Sequence, residues 1–262
     1  MQVITSKDNE MVKYIRKLKE KKYREIDKVY VVEGEKLIKE AITENAKIKH
    51  IVISEQTLET RNIDKDFLNV LEQYSCNCVS DKVFATLTDV VTPQGMLAVI
   101  ERKDGEQSIN FQEEMIIVLD GIQDPGNLGT ILRTVDSAGL TQIIVSKTTA
   151  DAYNPKVVRS TMGAIFRVNV IISEELTQTL ETLKKQGYEV IITSLQTQES
   201  IYDMGNNKKV IVIGNEANGV SKEVLEIADR KVKIPMLGKT ESLNAAVATG
   251  IMIYEYVRNK IR

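Results

Sequence analysis

The sequence predicts an α/β protein: a larger C-terminal domain on a mostly parallel sheet, preceded by a small α/β domain. Three observations carry that expectation. The apolar runs MIIVL, QIIVS, VNVII, YEVIIT, KKVIVIG and KVKIP recur through residues 115–235, with helical apolar spacing between them; this alternation builds a parallel sheet covered on both faces. The segment ERKDGEQSINFQEE, residues 101–114, is charged, contains a glycine and has no apolar period, which marks a linker. Before it, short strand-like and helix-like runs alternate over about 100 residues, the size of a small domain. The expected boundaries are 1–103 and 112–262.

In chain order, KVYVVEG, IKHIVIS, CNCVS and GMLAVIE read as strands of the first domain. EKLIKEAI, KDFLNVLEQY and DKVFATLT read as its helices from their 3.6-residue apolar spacing. In the second domain, helices are expected to start near Thr130, Pro155, Glu174, Ser221 and Ser242. The last, SLNAAVATGIMIYEYVRNKIR, sets Leu243, Val247, Gly250, Ile251, Tyr254, Val257 and Ile261 on one side. That stripe is expected to pack along the helix and leave the remainder for a dimer contact.

At 42% hydrophobic and 27% charged over 262 residues, the composition is that of a globular protein. No apolar run approaches the roughly 20 residues that span a bilayer, and MQVITSKDNE is not a signal peptide. A cytoplasmic protein without membrane partners is expected. Cys76 and Cys78 stand one residue apart, too close for easy pairing, and read as reduced and structural. With His50 as the sole histidine, a histidine base and a multi-histidine metal site are both disfavoured, and no metal is expected.

The net charge of −2 is unevenly spread: Lys13, Arg16, Lys17, Lys19, Lys21, Lys22 and Arg24 face Glu20 alone between residues 13 and 24. This reads as one basic helix. Its cations fit either a solvated face above Val12, Ile15 and Leu18 or a phosphate-binding surface for nucleic acid. The segment by itself leaves both readings open.

A ligand site is expected at DGIQDPGNLGTILRTVDSAG, residues 120–139. There a Gly/Pro-rich loop joins a strand end to a helix start, the place where open α/β sheets set ligands against backbone N–H groups and the helix dipole. Leu128, Ile131, Leu132 and Val135 form the packed stripe of that helix, and Thr130, Arg133, Thr134 and Ser137 lie off it. Further Gly/Pro punctuation occurs in AYNPKVVRSTMGAIF, IGNEANGVS and IPMLGKTESLNAAVA. No G-x-G-x-x-G follows the first strand, and GNEANGVS has Val220 where a P-loop needs lysine, so dinucleotide binding is disfavoured and ATP or GTP hydrolysis rejected.

The ordered set Asn127–Gly129–Arg133, IVIGNEANGVS and IPMLGKTESLNAAVA resembles the three motifs of the SpoU family of RNA ribose 2′-O-methyltransferases, within the SPOUT class. Residues 1–100, with EGEKLIKEA and TPQGMLAVIE, are similar to the RNA substrate-binding domain that often precedes the catalytic one. The resemblance implies a deep trefoil knot near the C-terminus, S-adenosylmethionine as cofactor, a homodimer, and ribose methylation in structured RNA, ribosomal RNA above all. It assigns catalysis to Arg133, Asn127, Glu216, Ser242 and Asn244, with Arg133 either taking the 2′-hydroxyl proton or gripping phosphate. The cofactor would lie against Thr193, Ser194, Leu195, Gly214, Asn215, Gly219, Ile234, Met236 and Leu243. RNA phosphates would meet Arg16, Lys17 and Lys21, and also Asn154, Lys156 and Arg159. Taken singly, Asn127 fits a turn residue, Ser242 a helix cap, Glu216 an exposed loop acid and Asn154 a cap. A noncatalytic RNA-binding or ribosome-assembly factor on the same fold is the competing reading.

Overall fold

The computed structural model describes residues 2–60, 63, 65–103, 108–205 and 207–258. Residues 104–107 of the expected linker, and Ile261 of the expected helical stripe, lie outside the described residues. Packing divides the chain into two units: Met1–Gly105 with Tyr153–Phe166, and Glu106–Ala152 with Arg167–Arg262.

The N-terminal unit holds strands β1 (Val3–Ile4), β2 (Val29–Glu33), β3 (Ile48–Ser54), β4 (Cys76–Val79) and β5 (Met96–Glu101) in the order β1-β4-β3-β5-β2. β1, β4 and β3 run parallel, while β5 is antiparallel to both β3 and β2. Its helices are α1 (Glu10–Lys17), α2 (Lys21–Asp27), α3 (Glu35–Thr43), α4 (Glu55–Thr60), α5 (Lys65–Leu71) and α6 (Asp81–Leu87). The basic segment is therefore two helices, broken after Leu18. The break has a cause: Arg24 is 2% exposed, and its guanidinium donates to the carbonyls of Leu18 and Lys19, both at 2.7 Å. It spends its charge capping the end of α1, so the helix does not continue.

Residues 153–166, expected within the second domain, belong by packing to the first unit. The ring of Tyr30 on β2 lies 5.1 Å from that of Tyr153 and 6.4 Å from that of Phe166, and the Arg102 guanidinium sits 4.2 Å over Tyr153. The helix within this segment, α8 (Pro155–Ser160), packs on β2. Sequence spacing cannot reveal such an exchange, because it shows only neighbours along the chain.

The C-terminal unit is a six-stranded parallel sheet with α7 (Pro125–Ser137), α9 (Leu176–Lys185), α10 (Lys222–Ile227) and α11 (Ala245–Val257). Its strands are β6 (Met115–Asp120), β7 (Gln142–Ser146), β8 (Asn169–Ser173), β9 (Glu189–Thr193), β10 (Lys209–Gly214) and β11 (Arg230–Val232), ordered β11-β9-β10-β6-β7-β8. All neighbours pair in parallel, as the alternation of runs implies. Every residue of β10 is buried, the mark of a central strand with both faces covered.

Two helices differ from expectation. α7 begins at Pro125, five residues before Thr130, because the Asp124 side chain caps it by accepting from the Asn127 N–H at 2.8 Å and Pro125 takes the first helical position. α11 buries Ala246, Thr249, Met252, Ile253, Tyr256 and Val257, so among the described residues of the expected stripe only Val257 is buried; Val247 is 51% and Tyr254 45% exposed. The helix is apolar nearly all round, and its periodicity does not choose a face.

Candidate active site

The register of the sheet assembles the candidate site. Gly214 at the end of β10 pairs with Asp120 at the end of β6, and Val232 of β11 pairs with Thr193 of β9. The carboxyl ends of β11, β9, β10 and β6 therefore lie side by side, and the loops that follow them share one edge of the sheet. Ligands of open α/β sheets bind at that edge.

The loop after β10 is a tight turn in which Asn215 and Gly219 exchange both backbone hydrogen bonds at 2.9 Å. A side chain at Gly214 would set its Cβ 2.1 Å from the Gly219 carbonyl carbon, so the turn closes only on glycine. Asn215 steadies the turn twice: its amide donates to the Gly121 carbonyl at 2.8 Å, and its Oδ1 accepts from the Ala217 and Asn218 N–H groups at 3.0 Å. Asp120 adds a further strut by accepting from the Ser221 N–H at 2.8 Å.

This turn presents Glu216 to the first turn of α7. Its Oε1 accepts from the Asn127 amide at 2.9 Å and the Asp124 N–H at 3.2 Å, and its Oε2 from the Gln123 N–H at 3.1 Å. The Asn127 Oδ1 accepts in turn from the Asn244 amide at 2.9 Å, and the Asn244 Oδ1 caps α11 through the Ala246 and Val247 N–H groups at 2.9 and 3.3 Å. Glu216, Asn127 and Asn244, each from a different motif, thus form one hydrogen-bonded chain. Burial disfavours the ionised Glu216 carboxyl, but the Asn127 amide and the N–H groups of Gln123, Glu216 and Asp124 outweigh it, and its pKa lies below the ordinary carboxylate value.

Arg133 stands on the exposed side of α7, and among the described residues it makes no side-chain hydrogen bond or ion pair. Ser242 is exposed in the loop before α11 and is not its cap; that place belongs to Asn244. Thr193 ends β9, Ser194 and Leu195 follow it, and the Ser194 N–H donates to the Val232 carbonyl at 3.0 Å. Leu195 is 63% exposed beside that junction. Ile234, Met236 and Leu243 lie along the segment that leaves β11, all half-buried. The expected cofactor positions therefore fall on three neighbouring loops. Asp120, Gln123 and Asp124 were not among the expected residues, although the Asp-Pro pair before an apolar run was a readable cap signal.

No histidine occurs in this unit, since His50 lies on β3. Cys76 and Cys78 are free thiols of the other unit, and burial, followed by the neighbouring Cys78, pushes Cys76 up to about 11. Among the described residues, no group of three or more His, Cys, Asp or Glu could hold a metal ion, and no helix is long and apolar enough to cross a membrane.

Of the expected RNA contacts, Arg16, Lys17 and Lys21 are exposed on α1 and α2. Asn154 caps α8 through the Lys156 N–H at 2.9 Å, and Arg159 is half-buried. The two sets come close within the N-terminal unit. A cavity of about 20 Å³ is lined by Ile15, Leu18 and Lys19 on one side and by Pro155 and Arg159 on the other. It has room for about one water, so it is a seam rather than a ligand pocket.

One unit thus carries a ligand-type site at the edge of a parallel sheet, and the other unit carries exposed cations on α1 and α2, features expected of a nucleic-acid-directed enzyme. The profile of the SpoU rRNA Methylase family matches residues 114–254, and that of the MRM3-like substrate binding domain matches residues 9–98. The chain is 33% identical over 255 residues to the 23S rRNA (guanosine(2553)-2'-O)-methyltransferase RlmP of Bacillus subtilis (strain 168), covering 97% of this chain and 98% of that protein. The AdoMet-bound rRNA methyltransferase from Sinorhizobium meliloti superposes with a TM-score of 0.85 at 32% identity, over 98% of both chains. The SpoU methyltransferase AviRb from Streptomyces viridochromogenes, in complex with AdoMet, gives 0.84 at 25% identity over 97% of this chain and 98% of that one. The chain belongs to the SpoU rRNA Methylase family.

Proposed function

We propose that the protein transfers the methyl group of S-adenosylmethionine to a ribose 2′-hydroxyl of structured RNA, most specifically ribosomal RNA, as a cytoplasmic homodimer. The observation that carries this reading is the hydrogen-bonded chain Glu216–Asn127–Asn244, which ties three loops together at the base of the helix that holds Arg133. Family relatives bound to AdoMet or named for 2′-O-methylation of 23S rRNA support the cofactor and the substrate class.

The cofactor fits the residues present. Thr193, Ser194 and Leu195, the Gly214–Gly219 turn with Asn215, and Ile234, Met236 and Leu243 offer backbone groups and apolar side chains on adjacent loops. An adenosine moiety needs both. When bound, S-adenosylmethionine supplies an electrophilic methyl group. The chain's own residues do the positioning, which for a weak hydroxyl nucleophile is a large share of catalysis.

Asn127, Glu216 and Asn244 act as braces: their polar groups are spent on one another and on helix starts. Arg133 is the group left for substrate. A guanidinium holds its charge at neutral pH and presents a planar fork that suits phosphate. Arg133 therefore grips the phosphate beside the target ribose and aligns its 2′-hydroxyl. With that cofactor bound, its methyl–sulfur bond would break as the ribose oxygen takes the methyl, and the hydroxyl proton would pass to an oxygen of the phosphate that Arg133 holds or to water. Ser242, exposed two residues before Asn244, orients the ribose from the opposite loop.

The homodimer reading is supported by Val247 and Tyr254, exposed on α11, with half-buried Ile251 between them. That apolar face flanks α7, where the Tyr254 hydroxyl meets Ser137 Oγ at 3.2 Å. The trefoil knot is supported by β10 lying between β6 and β9, while β11 lies outside β9 and α11 returns to pack on α7 and β10.

The test is transfer of label from S-adenosylmethionine to unmodified ribosomal RNA, with the modified ribose mapped. Cofactor binding without transfer to any RNA would overturn the enzyme reading and leave a binding or assembly factor.

A further inference from the structure

We infer that the loop Thr88–Gln94 of the N-terminal unit is a preformed element that packs against an unpaired nucleotide of the substrate RNA, with Glu33 as its positioning residue. The inference rests on the RNA-methylating reading above. Its first support is an apolar tip left in water: Val91 is 98% exposed, and Thr92, Pro93 and Gln94 beside it are exposed as well. A connection between α6 and β5 needs no such residue, and a β-branched side chain held fully in solvent buries nothing.

The second support is how firmly that tip is held. Glu33 is 9% exposed, and its carboxylate takes both ends of the loop: Oε2 accepts from the Thr88 hydroxyl at 2.6 Å and Oε1 from the Gln94 N–H at 3.4 Å. Lys19 Nζ donates to Asp89 Oδ1 at 2.7 Å and to the Thr88 carbonyl at 2.9 Å. The Thr88 Oγ1 accepts from the Val90 N–H at 3.0 Å. At Gly34 a Cβ would fall 2.3 Å from the Gln94 amide oxygen, so glycine leaves the space in which that side chain lies. A mere linker gains nothing from a buried carboxylate, whereas a recognition loop gains affinity by being ordered before its ligand arrives.

The third support identifies the ligand. Thr88 and Asp89 line the same seam as Lys19 and Arg159, so the loop springs from between the two cationic sets. Cations on either side meet phosphates, but Val91 and Pro93 offer no charge and no donor for one. Their partner is the face of a base, and a base offers its face only when unstacked, as in the single-stranded loops and bulges by which proteins read RNA.

The experiment uses the full-length protein with protein-free, unmodified ribosomal RNA. It reads the KM for RNA, kcat, the Kd for RNA, and the Kd for S-adenosylmethionine. Val91→Asp sits wholly in solvent and leaves the fold intact; it is expected to raise the KM and Kd for RNA about tenfold, the scale of losing the burial of one valine side chain, with kcat and cofactor affinity unchanged. Gln178→Asp, on the exposed face of α9, introduces the same charge and is expected to change neither. Glu33→Gln is expected to raise the KM several-fold without altering the salt dependence of binding, because the phosphate contacts remain. Equal effects of Val91→Asp and Gln178→Asp overturn the inference. A loss seen only with ribosomal particles also overturns it, in favour of a ribosomal protein as the loop's partner. If wild-type protein binds RNA yet transfers no methyl group, the proposed function fails, and the RNA Kd values still decide the loop.

Discussion

Removing the Glu216 carboxylate is expected to disable the site while leaving the protein folded. Glu216→Ala deletes the acceptor of three hydrogen bonds, from Asn127 at 2.9 Å, Gln123 at 3.1 Å and Asp124 at 3.2 Å. Bonds to a charged group are worth about 1.5–3 kcal/mol each, but Glu216 is exposed and water replaces much of what is lost. The net cost to stability is then about 1–2 kcal/mol, a fall in Tm of a few degrees for a chain of this size. The cost to catalysis is larger, because the first turn of α7 loses its anchor six residues before Arg133. A displacement on the order of 1 Å lowers a rate about 100-fold, which is about 2.7 kcal/mol. Asn127→Ala breaks the same joint, so Glu216→Ala combined with Asn127→Ala should still lose only about 100-fold. The assay is the initial rate of labelled methyl transfer at saturating cofactor, with Tm measured in parallel. A double variant whose loss is the product of the two single losses would refute the idea that these residues act as one brace.

Arg133→Ala is expected to abolish methyl transfer with S-adenosylmethionine still bound in calorimetry; loss of cofactor affinity would contradict its assignment to the RNA. Substantial turnover in Arg133→Lys would show that charge alone suffices there and that the planar fork does not matter. Arg24→Ala should cost about 2–4 kcal/mol in urea unfolding, since two carbonyls lose a buried charged donor, while exposed Lys21→Ala stays within about 0.5 kcal/mol and lowers the salt slope of RNA binding by about 1. Gly214→Ala, with its Cβ driven onto Gly219, should lose about 1–3 kcal/mol together with cofactor affinity; a normal cofactor Kd would refute the placement. Because the Glu216 pKa is depressed, its contribution is fully present above the ordinary carboxylate pKa of about 4.3 and is lost as pH falls through its lower folded value. The Tm values of wild type and Glu216→Gln should therefore differ at pH 7 and converge in acid; convergence on raising the pH would contradict the sign.

Apart from the two-residue β1, which was not expected, the strands of both units were legible because valine and isoleucine runs bounded by turn residues have few other solutions. The three motifs of the candidate site were legible as separate patches, and their union was not: residues 127, 216 and 244 meet only through the register of β6 with β10 and the return of α11. α7 starts at Pro125 rather than near Thr130, because Asp124 and Pro125 supply a cap and a first position ahead of the apolar stripe that begins at Leu128. The buried face of α11 could not be read, since Ala246, Thr249 and Met252 carry no stronger apolar signal than Val247, Ile251 and Tyr254. Arg24 looked like one cation among seven; only the break after Leu18 shows it spent on carbonyls. Glu33 lay inside a motif noted for its similarity, with nothing in its spacing to point at a loop some 60 residues away.

The brace that joins Glu216, Asn127 and Asn244 also orders events during synthesis. When the chain has been made only as far as residue 216, Asn244 is still missing and Asn127 lacks the donor that fixes its amide oxygen. The site therefore matures late, after the N-terminal unit's five-stranded sheet has had time to form, since domains generally fold as units in the order they are made. Contacts of such long sequence separation also form slowly. A chain cut short before residue 244 would keep the five-stranded sheet yet lack the residue that both caps α11 and closes the brace on Asn127.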